Sequence, residues 1–241
     1  FYFISGSGNK KTFTKKNLLK ISKSLKSEQN KFNIVLCGGD TIFSNKLSFS
    51  ITSMGYSSKI IYRNKAKLND DIYVTGNLGD SYLGLKQLKN KINIKKKDKL
   101  YFINKYYKPV LPLNVTNYLL KFANCSIDVS DGLIDDLSKM INRQNLSFHL
   151  FEKNIPVSKK LSNFIIDRKL NKINLVTNGD DYQVLFTADI NKNRIIQNAS
   201  KTSGIKITKI GKIVSGKDKS IIFDEKGKQI QAKSKGYIHH F

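Results

Sequence analysis

Apolar positions along the 241-residue chain recur at intervals that predict a mixture of helices and strands. In TKKNLLKISKSLKSEQ (14–29), Leu18, Leu19, Ile21 and Leu25 stand at near-helical spacing with lysines on the other face, as an amphipathic helix requires. FNIVLC predicts a strand that stops at Gly38-Gly39-Asp40. KLSFSITSMGY then alternates, with Leu47, Phe49 and Ile51 on one side and Ser48, Ser50 and Thr52 on the other, the pattern of a half-buried strand.

A basic, irregular stretch (59–70) follows, and the domain boundary is placed there, giving parts 1–64 and 65–241. DDIYVTG (70–76) predicts a strand that leads through Gly76 and Gly79 into a helix beginning near Asp80-Ser81. VTNYLLKFANC (115–125) predicts a helix. SIDVSDGLIDDLSKMI (126–141) predicts a short strand turning directly into a helix, with Leu133, Ile134, Leu137 and Ile141 facing the core. Another helix is expected over roughly 158–170, and NLVTNGDDYQVLFTA gives a Gly-Asp-Asp turn before an apolar strand. NKNRIIQNASKT reads as a helix, and IKITKIGKIV and SIIFDEKGKQI as paired strands around glycine-containing turns. Strands and helices mix without strict βαβ repetition, which favours an α+β or irregular α/β class.

Composition adds bounds. Apolar residues make up 39% and charged residues 25%, a globular balance, and no apolar run approaches the ~20 residues of a membrane span. No signal peptide is visible and position 1 is not Met, so the chain reads as starting within a longer protein. Cys37 and Cys125 lie far apart, each in or beside an apolar segment, so both read as small buried residues, a usage that suits a reducing cytoplasm. The formal charge of +25 would suit nucleic acid or an anionic membrane. The lysines are spread over the whole length, however, and the one dense run, KNKINIKKKDK (89–99), reads as a solvated loop.

The chain has no GxxxxGK[ST] loop, no protein-kinase motif set and no zinc motif. His149, His239 and His240 are its only histidines, and no Ser or Cys stands in a recognisable nucleophile context. What remains is a set of acids at glycine-marked strand ends: Asp40 in GGDT, Asp128 and Asp131 in IDVSDGL, and Asp180 and Asp181 in NGDDY. Carboxylates so placed can converge on a hard cation such as Mg²⁺, and neighbouring glycines let backbone approach phosphate closely. Each cluster also has a plainer explanation. Gly-Gly-Asp and Gly-Asp-Asp make ordinary turns, Asp131 could cap the following helix, and Asp135 and Asp136 suit its first turn as structural residues.

Taken in order, GGDT (38–41), DDIYVTGNLGDSYLGL (70–85), YYKPVLP (106–112), IDVSDGLIDDL (127–137), NGDDYQVLFT (178–187), ITKIGKI (207–213) and GYIHHF (236–241) resemble the thiamine-monophosphate kinases. These belong to the aminoimidazole-ribonucleotide-synthetase-like superfamily. The resemblance runs over essentially the whole chain and implies an N-terminally truncated α+β member. Residues 1–64 would be the remaining part of an N-terminal ATP- and Mg²⁺-binding, dimerising domain, and 65–241 a complete α/β C-terminal domain. The implied reaction is ATP- and Mg²⁺-dependent phosphorylation of thiamine monophosphate by a cytoplasmic homodimer, with no membrane or nucleic-acid partner.

Carried over residue by residue, Gly39 and Asp40 are similar to the pair that contacts nucleotide and metal, and Arg63 to an arginine that meets ATP. Asp128 and Asp131 resemble metal ligands, and Ser130 the nucleotide-contacting serine between them. Asp40 and Asp131 would be catalytic through the metal. Asp180 and Tyr237 would face the thiamine moiety. The sequence departs from the family pattern where GGEDYEL has become NGDDYQV, which leaves Asp180 one methylene shorter than Glu, and where Leu113 replaces an arginine. Two alternatives stay open at this point. One is a superfamily sibling such as a selenophosphate or aminoimidazole ribonucleotide synthetase; the other is a non-catalytic basic nucleic-acid-binding or scaffold protein.

Overall fold

The structure, a computed structural model, describes residues 1–237. The chain divides after Ser58 into two units. In the first, β1 (Tyr2–Gly8) lies between β2 (Leu36–Phe43), parallel to it, and β3 (Ser48–Ser53), antiparallel. The helix expected from the leucine spacing is α1 (Lys15–Phe32); the Thr14 side chain caps it by accepting the Asn17 N–H at 3.2 Å.

Three expectations fail in this unit. The second strand does not stop at Gly38-Gly39-Asp40 but runs through them, so Asp40 is mid-strand. The alternating strand β3 forms, yet all six of its residues are exposed rather than half-buried, as is Cys37. The first follows from pairing, since Gly38, Gly39 and Asp40 lie opposite Phe3, Ile4 and Ser5 of β1. For the exposed residues, α1 buries none of its own side chains, so the alternation has no covering layer within the unit.

The second unit is built on a seven-stranded sheet. Its strands are β4 (Asp71–Thr75), β5 (Ala123–Asp128), β6 (Leu146–Phe151), β7 (Val184–Ala188), β8 (Ile207–Ser215), β9 (Ile221–Phe223) and β10 (Gln229–Ile230), in the order β10-β9-β6-β8-β4-β7-β5. Only β6 and β9 pair in parallel. The strands β8 and β9, expected as partners, are separated by β6. The predicted helix over 115–125 is shorter, α4 (Thr116–Phe122), because Ala123 to Cys125 already belong to β5.

Central strands are buried on both faces and so lack polar alternation. Along β4, Ile72 and Val74 enter one core with Leu133 and Leu137 of α5 (Leu133–Met140), while Tyr73 points the other way. There it stacks on Phe186 at 5.3 Å beneath α4 and α8 (Asn193–Ser203). A third cluster joins α2 (Asp80–Leu88), α3 (Lys96–Tyr107), α6 (Lys159–Arg168) and α7 (Ile173–Val176) through Leu83, Phe102, Leu161 and Leu175. The helix α3 takes in part of the lysine-rich stretch read as a loop, because Phe102 and the half-buried Tyr101 anchor it. Among the described residues no helix is long and apolar enough to cross a membrane.

Leu137 has no exposed surface and lies where α5 meets the sheet. We expect Leu137→Ala to lower the unfolding free energy by about 2–5 kcal/mol, measured by urea denaturation; a loss below ~1 kcal/mol would contradict this packing.

Candidate active site

The site grows from the neighbouring antiparallel strands β5 and β7, whose pairing continues past their ends into two loops. The Val129 N–H donates to the Gln183 carbonyl (2.8 Å), the Tyr182 N–H to Val129 (2.9 Å) and the Asp180 N–H to Ser130 (2.9 Å). So close an approach needs glycine on each side. A Cβ on Gly132 (φ +137°) would lie 2.4 Å from the Thr177 carbonyl oxygen, and one on Gly179 (φ +70°) 2.1 Å from that of Ser130. Each glycine leaves room for the other loop's backbone.

The first loop is closed from beneath by Asp136. One oxygen of this buried carboxylate accepts the N–H groups of Ser130 (3.0 Å), Asp131 (2.9 Å) and Gly132 (2.9 Å). Burial pushes the Asp136 carboxyl up, and the Gly132 and Asp131 N–H groups pull it back. Asp131 itself does not cap α5, since Gly132 holds the cap position without a side-chain bond. Freed from that role, Asp131 pairs with Lys139 at 2.6 Å, and Asp135 takes the same ammonium at 2.6 Å. Hydrogen bonds from Asp131 and then Asp135 hold Lys139 well above the ordinary lysine range.

The second loop alternates. Asp180 (φ +59°) and Tyr182 (φ +51°) both adopt the left-handed backbone that non-glycine residues avoid, at a cost of order 1 kcal/mol each. Both side chains line a cavity of ≈ 560 Å³, while Asp181 and Gln183 are buried. Ser130 and Asp131 share the cavity wall with Asp180 and Tyr182. Tyr82 and Lys86 of α2, Lys89 just after it, Tyr106 of α3 and Tyr237 complete the lining. The chain before Tyr237 is docked on the first loop: the Tyr237 N–H donates to the Asp131 carbonyl (2.8 Å) and the Asp135 N–H to the Lys235 carbonyl (3.0 Å). Burial and the nearby Asp131 raise the Asp180 carboxyl against the pull of Lys89. Burial, Asp180 and Asp128 raise the Tyr182 phenol. The cavity lining thus combines carboxylates, ammonium groups and tyrosine rings.

Of the residues singled out from sequence, Ser130, Asp131, Asp180 and Tyr237 are brought together on this cavity. Asp128 stands exposed at the end of β5, with no hydrogen bond or ion pair to its side chain among the described residues. Arg63 is exposed in the segment before β4 and is not part of the cavity lining. Gly39 and Asp40 belong to the first unit. Asp40 is exposed and accepts the Thr41 N–H at 2.7 Å, while a Cβ on Gly39 would fall 1.8 Å from the Ile4 carbonyl oxygen, so strand packing alone demands that glycine. Of the GYIHHF ending, 238–241 lie outside the described residues.

The sequence reading passed over Tyr82, Tyr106, Tyr182 and the cavity lysines. Tyr82, Lys86 and Lys89 do carry a signal, being spaced i, i+4 and i+7 along α2 and its C-terminal cap.

A divalent cation of the Mg²⁺ type fits the donors present. The carboxylate oxygens of Asp131, Asp135 and Asp136 lie within 4.8 Å of one another, and the Lys139 ammonium already occupies their meeting point as a cationic stand-in. One oxygen of Asp136 is committed to the backbone, which leaves Asp131 and Asp135 as the carboxylates of this group most open to a metal.

No protein-family model matches the chain. Among solved structures, the complex of AaThiL with AMPPCP and TMP superimposes with a TM-score of 0.80 at 24% identity, covering 99% of this chain and 73% of that one. The chain therefore shares the fold of that structure. Sequence narrows the assignment. The chain is 36% identical over 226 residues to a thiamine-monophosphate kinase of Buchnera aphidicola subsp. Schizaphis graminum, and 37% identical over 232 residues to that of the subspecies Acyrthosiphon pisum. Each match covers 92% of this chain and 69% of the relative. The chain belongs to the thiamine-monophosphate kinase family.

If Asp136 holds the first loop, Asp136→Ala should cost about 2–4 kcal/mol of stability, because three N–H groups lose one charged acceptor. Chemical denaturation measures this, and a loss within ~0.5 kcal/mol of zero would show the loop to be held by other contacts.

Proposed function

We propose that this protein transfers the γ-phosphoryl group of ATP to the phosphate of thiamine monophosphate, giving thiamine diphosphate and ADP. Family membership supports the reaction. The single structural observation that carries it is the cavity in which the Asp131 and Asp180 carboxylates, lysine ammoniums and tyrosine rings face one volume. A terminal oxygen of the acceptor phosphate attacks Pγ in line, the new O–Pγ bond forms, and the bond from Pγ to the β-bridging oxygen breaks. The nucleophile is already largely anionic near neutral pH, since a phosphate monoester loses its second proton near pH ~6. No side chain has to remove a proton.

The work left to the protein is to bring two polyanions together and to orient them. The tyrosine rings offer flat, electron-rich faces to a cationic thiazolium, as Tyr82 already does to the Lys86 ammonium at 5.0 Å. Asp180 adds a carboxylate toward the same cation, and the lysines on α2 and beyond it attract phosphate. Asp128 and Asp131 would hold Mg²⁺, which neutralises phosphate charge when bound. By resemblance, Asp40 is assigned to the metal, and Gly39, Arg63 and Ser130 to the nucleotide. The same resemblance supports a homodimer, and the two free thiols, Cys37 exposed and Cys125 buried, suit a cytoplasmic setting.

Incubation with ATP, Mg²⁺ and thiamine monophosphate, followed by oxidation of the products to fluorescent thiochromes, should give a thiamine diphosphate peak that needs both ATP and Mg²⁺. Asp131→Asn should lower kcat about a hundred-fold or more. Its melting temperature should barely move, because Asp131 and Lys139 are both substantially solvent-exposed. Unchanged turnover in the variant would remove Asp131 from the metal site.

A further inference from the structure

The buried half of the Asn178–Gln183 loop has no role in the reaction above. The Asp181 side chain points away from the cavity, is only 5% exposed, and reaches the start of α2. There its carboxylate accepts the Gly79 N–H at 2.7 Å and, more weakly, the Ser81 N–H at 3.4 Å. These are unsatisfied donors of a helix N-terminus, where a carboxylate is also favoured by the helix dipole. Gly79 holds the cap position at φ +88° and supplies no side-chain acceptor of its own, so Asp181 provides the cap from another part of the chain.

Both segments joined in this way contribute to the cavity lining. Asp180 and Tyr182 flank Asp181 on the loop; Tyr82 and Lys86 belong to the helix it caps, and Lys89 follows directly after that helix. Gln183, the next inward side chain, accepts from the Thr75 hydroxyl (3.0 Å) and donates to the Val110 carbonyl (2.9 Å), fixing the same loop to β4 and to the chain after α3. We propose that Asp181 is a positioning residue: its buried carboxylate clips the loop bearing Asp180 and Tyr182 to helix α2, and so sets the width of the acceptor cavity. The proposal rests on the phosphoryl-transfer function given above.

Electrostatics separates positioning from stabilisation. Burial pushes the Asp181 carboxyl up to about 7, the Gly79 and Ser81 N–H groups oppose this, and the neighbouring Asp80 adds to it. The other charged groups at this junction are Lys105 of α3 and Lys206, which line a small pocket with Asp80 and Asp181. A carboxyl raised above its unfolded value binds a proton in the folded state between the two pKa values. Stability from this group is therefore greatest at acidic pH and falls as pH rises toward 7. The ionised form is the costly one for folding and the better acceptor for the cap. Replacing one of the two acceptor oxygens with an amide NH2 should loosen the clip, while removal of a charge that is costly to bury keeps stability above pH 7 from falling.

The test is Asp181→Asn, which keeps the shape and one acceptor oxygen. At pH 8 its melting temperature should equal or exceed that of the unaltered protein. Amide exchange, read by mass spectrometry, should be at least about ten-fold faster in both 177–183 and 78–82, with the core strand Val184–Ala188 unchanged. In turnover, KM for thiamine monophosphate should rise about ten-fold while kcat changes by less than about three-fold. Unchanged exchange in both segments, or unchanged KM in a variant whose parent is active, would overturn the proposal. So would loss of melting temperature together with uniform exchange, which would make Asp181 a purely structural residue. If Asp181→Asn does not fold, pH dependence of the parent's exchange decides. Both segments should then exchange more slowly, after correction for intrinsic chemistry, as pH falls from 8 to 6, because protonation favours the closed state in which the raised carboxyl is buried; equal protection would refute the clip. A parent protein that fails to phosphorylate thiamine monophosphate would refute the proposed function, while exchange would still decide the clip.

Discussion

The close approach of two loops across a pair of glycines is the constraint on which the second unit's site depends. Gly132 lies against the Thr177 carbonyl and Gly179 against that of Ser130, at separations no Cβ would tolerate. Backbone bonds from Val129, Asp180 and Tyr182 then extend the β5–β7 pairing beyond the strands. Asp136, gathering three N–H groups onto one oxygen, fixes the remaining freedom of the first loop. Every acid of this unit assigned to metal or acceptor stands on one of these loops or at the strand end leading into them. A shift of either loop would move them together. The strained backbone at Asp180 and Tyr182 persists because it is held on both sides.

Chemistry on two phosphorylated substrates is chiefly a problem of charge. The chain's formal +25 supplies a broad attractive field, but a field has no geometry. Geometry comes from a few groups that line one cavity: ammoniums on and just after α2, carboxylates on the loops, and tyrosine rings. The Lys139 ammonium shared by Asp131 and Asp135 shows that these carboxylates are disposed to meet a positive charge. A reaction whose nucleophile arrives already ionised asks nothing more of acid–base side chains.

Much of the second unit was legible in its sequence because local and tertiary signals agree there. The apolar spacing of Leu133, Ile134, Leu137 and Ile141 matched the buried face of α5, and glycine-marked acids announced both loops. The first unit misled because alternation records only a capacity for burial: β3 alternates, and nothing within its unit covers it. Gly39 carried a similar ambiguity, since its small size is already required by the Ile4 carbonyl. Of the cavity tyrosines only Tyr237 was singled out from sequence; Tyr82, Tyr106 and Tyr182 come from α2, α3 and the second loop, and only the tertiary fold assembles them. Asp181 was read as half of a turn; its role as a remote cap for α2 could not be seen without knowing which helix begins beside it.

The most direct measurement is a titration of thiamine monophosphate into protein carrying isotope-labelled tyrosine, followed by ring resonances. The account predicts saturable shifts for Tyr82, Tyr106, Tyr182 and Tyr237, with Tyr73, stacked on Phe186 in the core, unaffected. Saturable binding that leaves those four rings unmoved would place the acceptor elsewhere and contradict the assignment of this cavity.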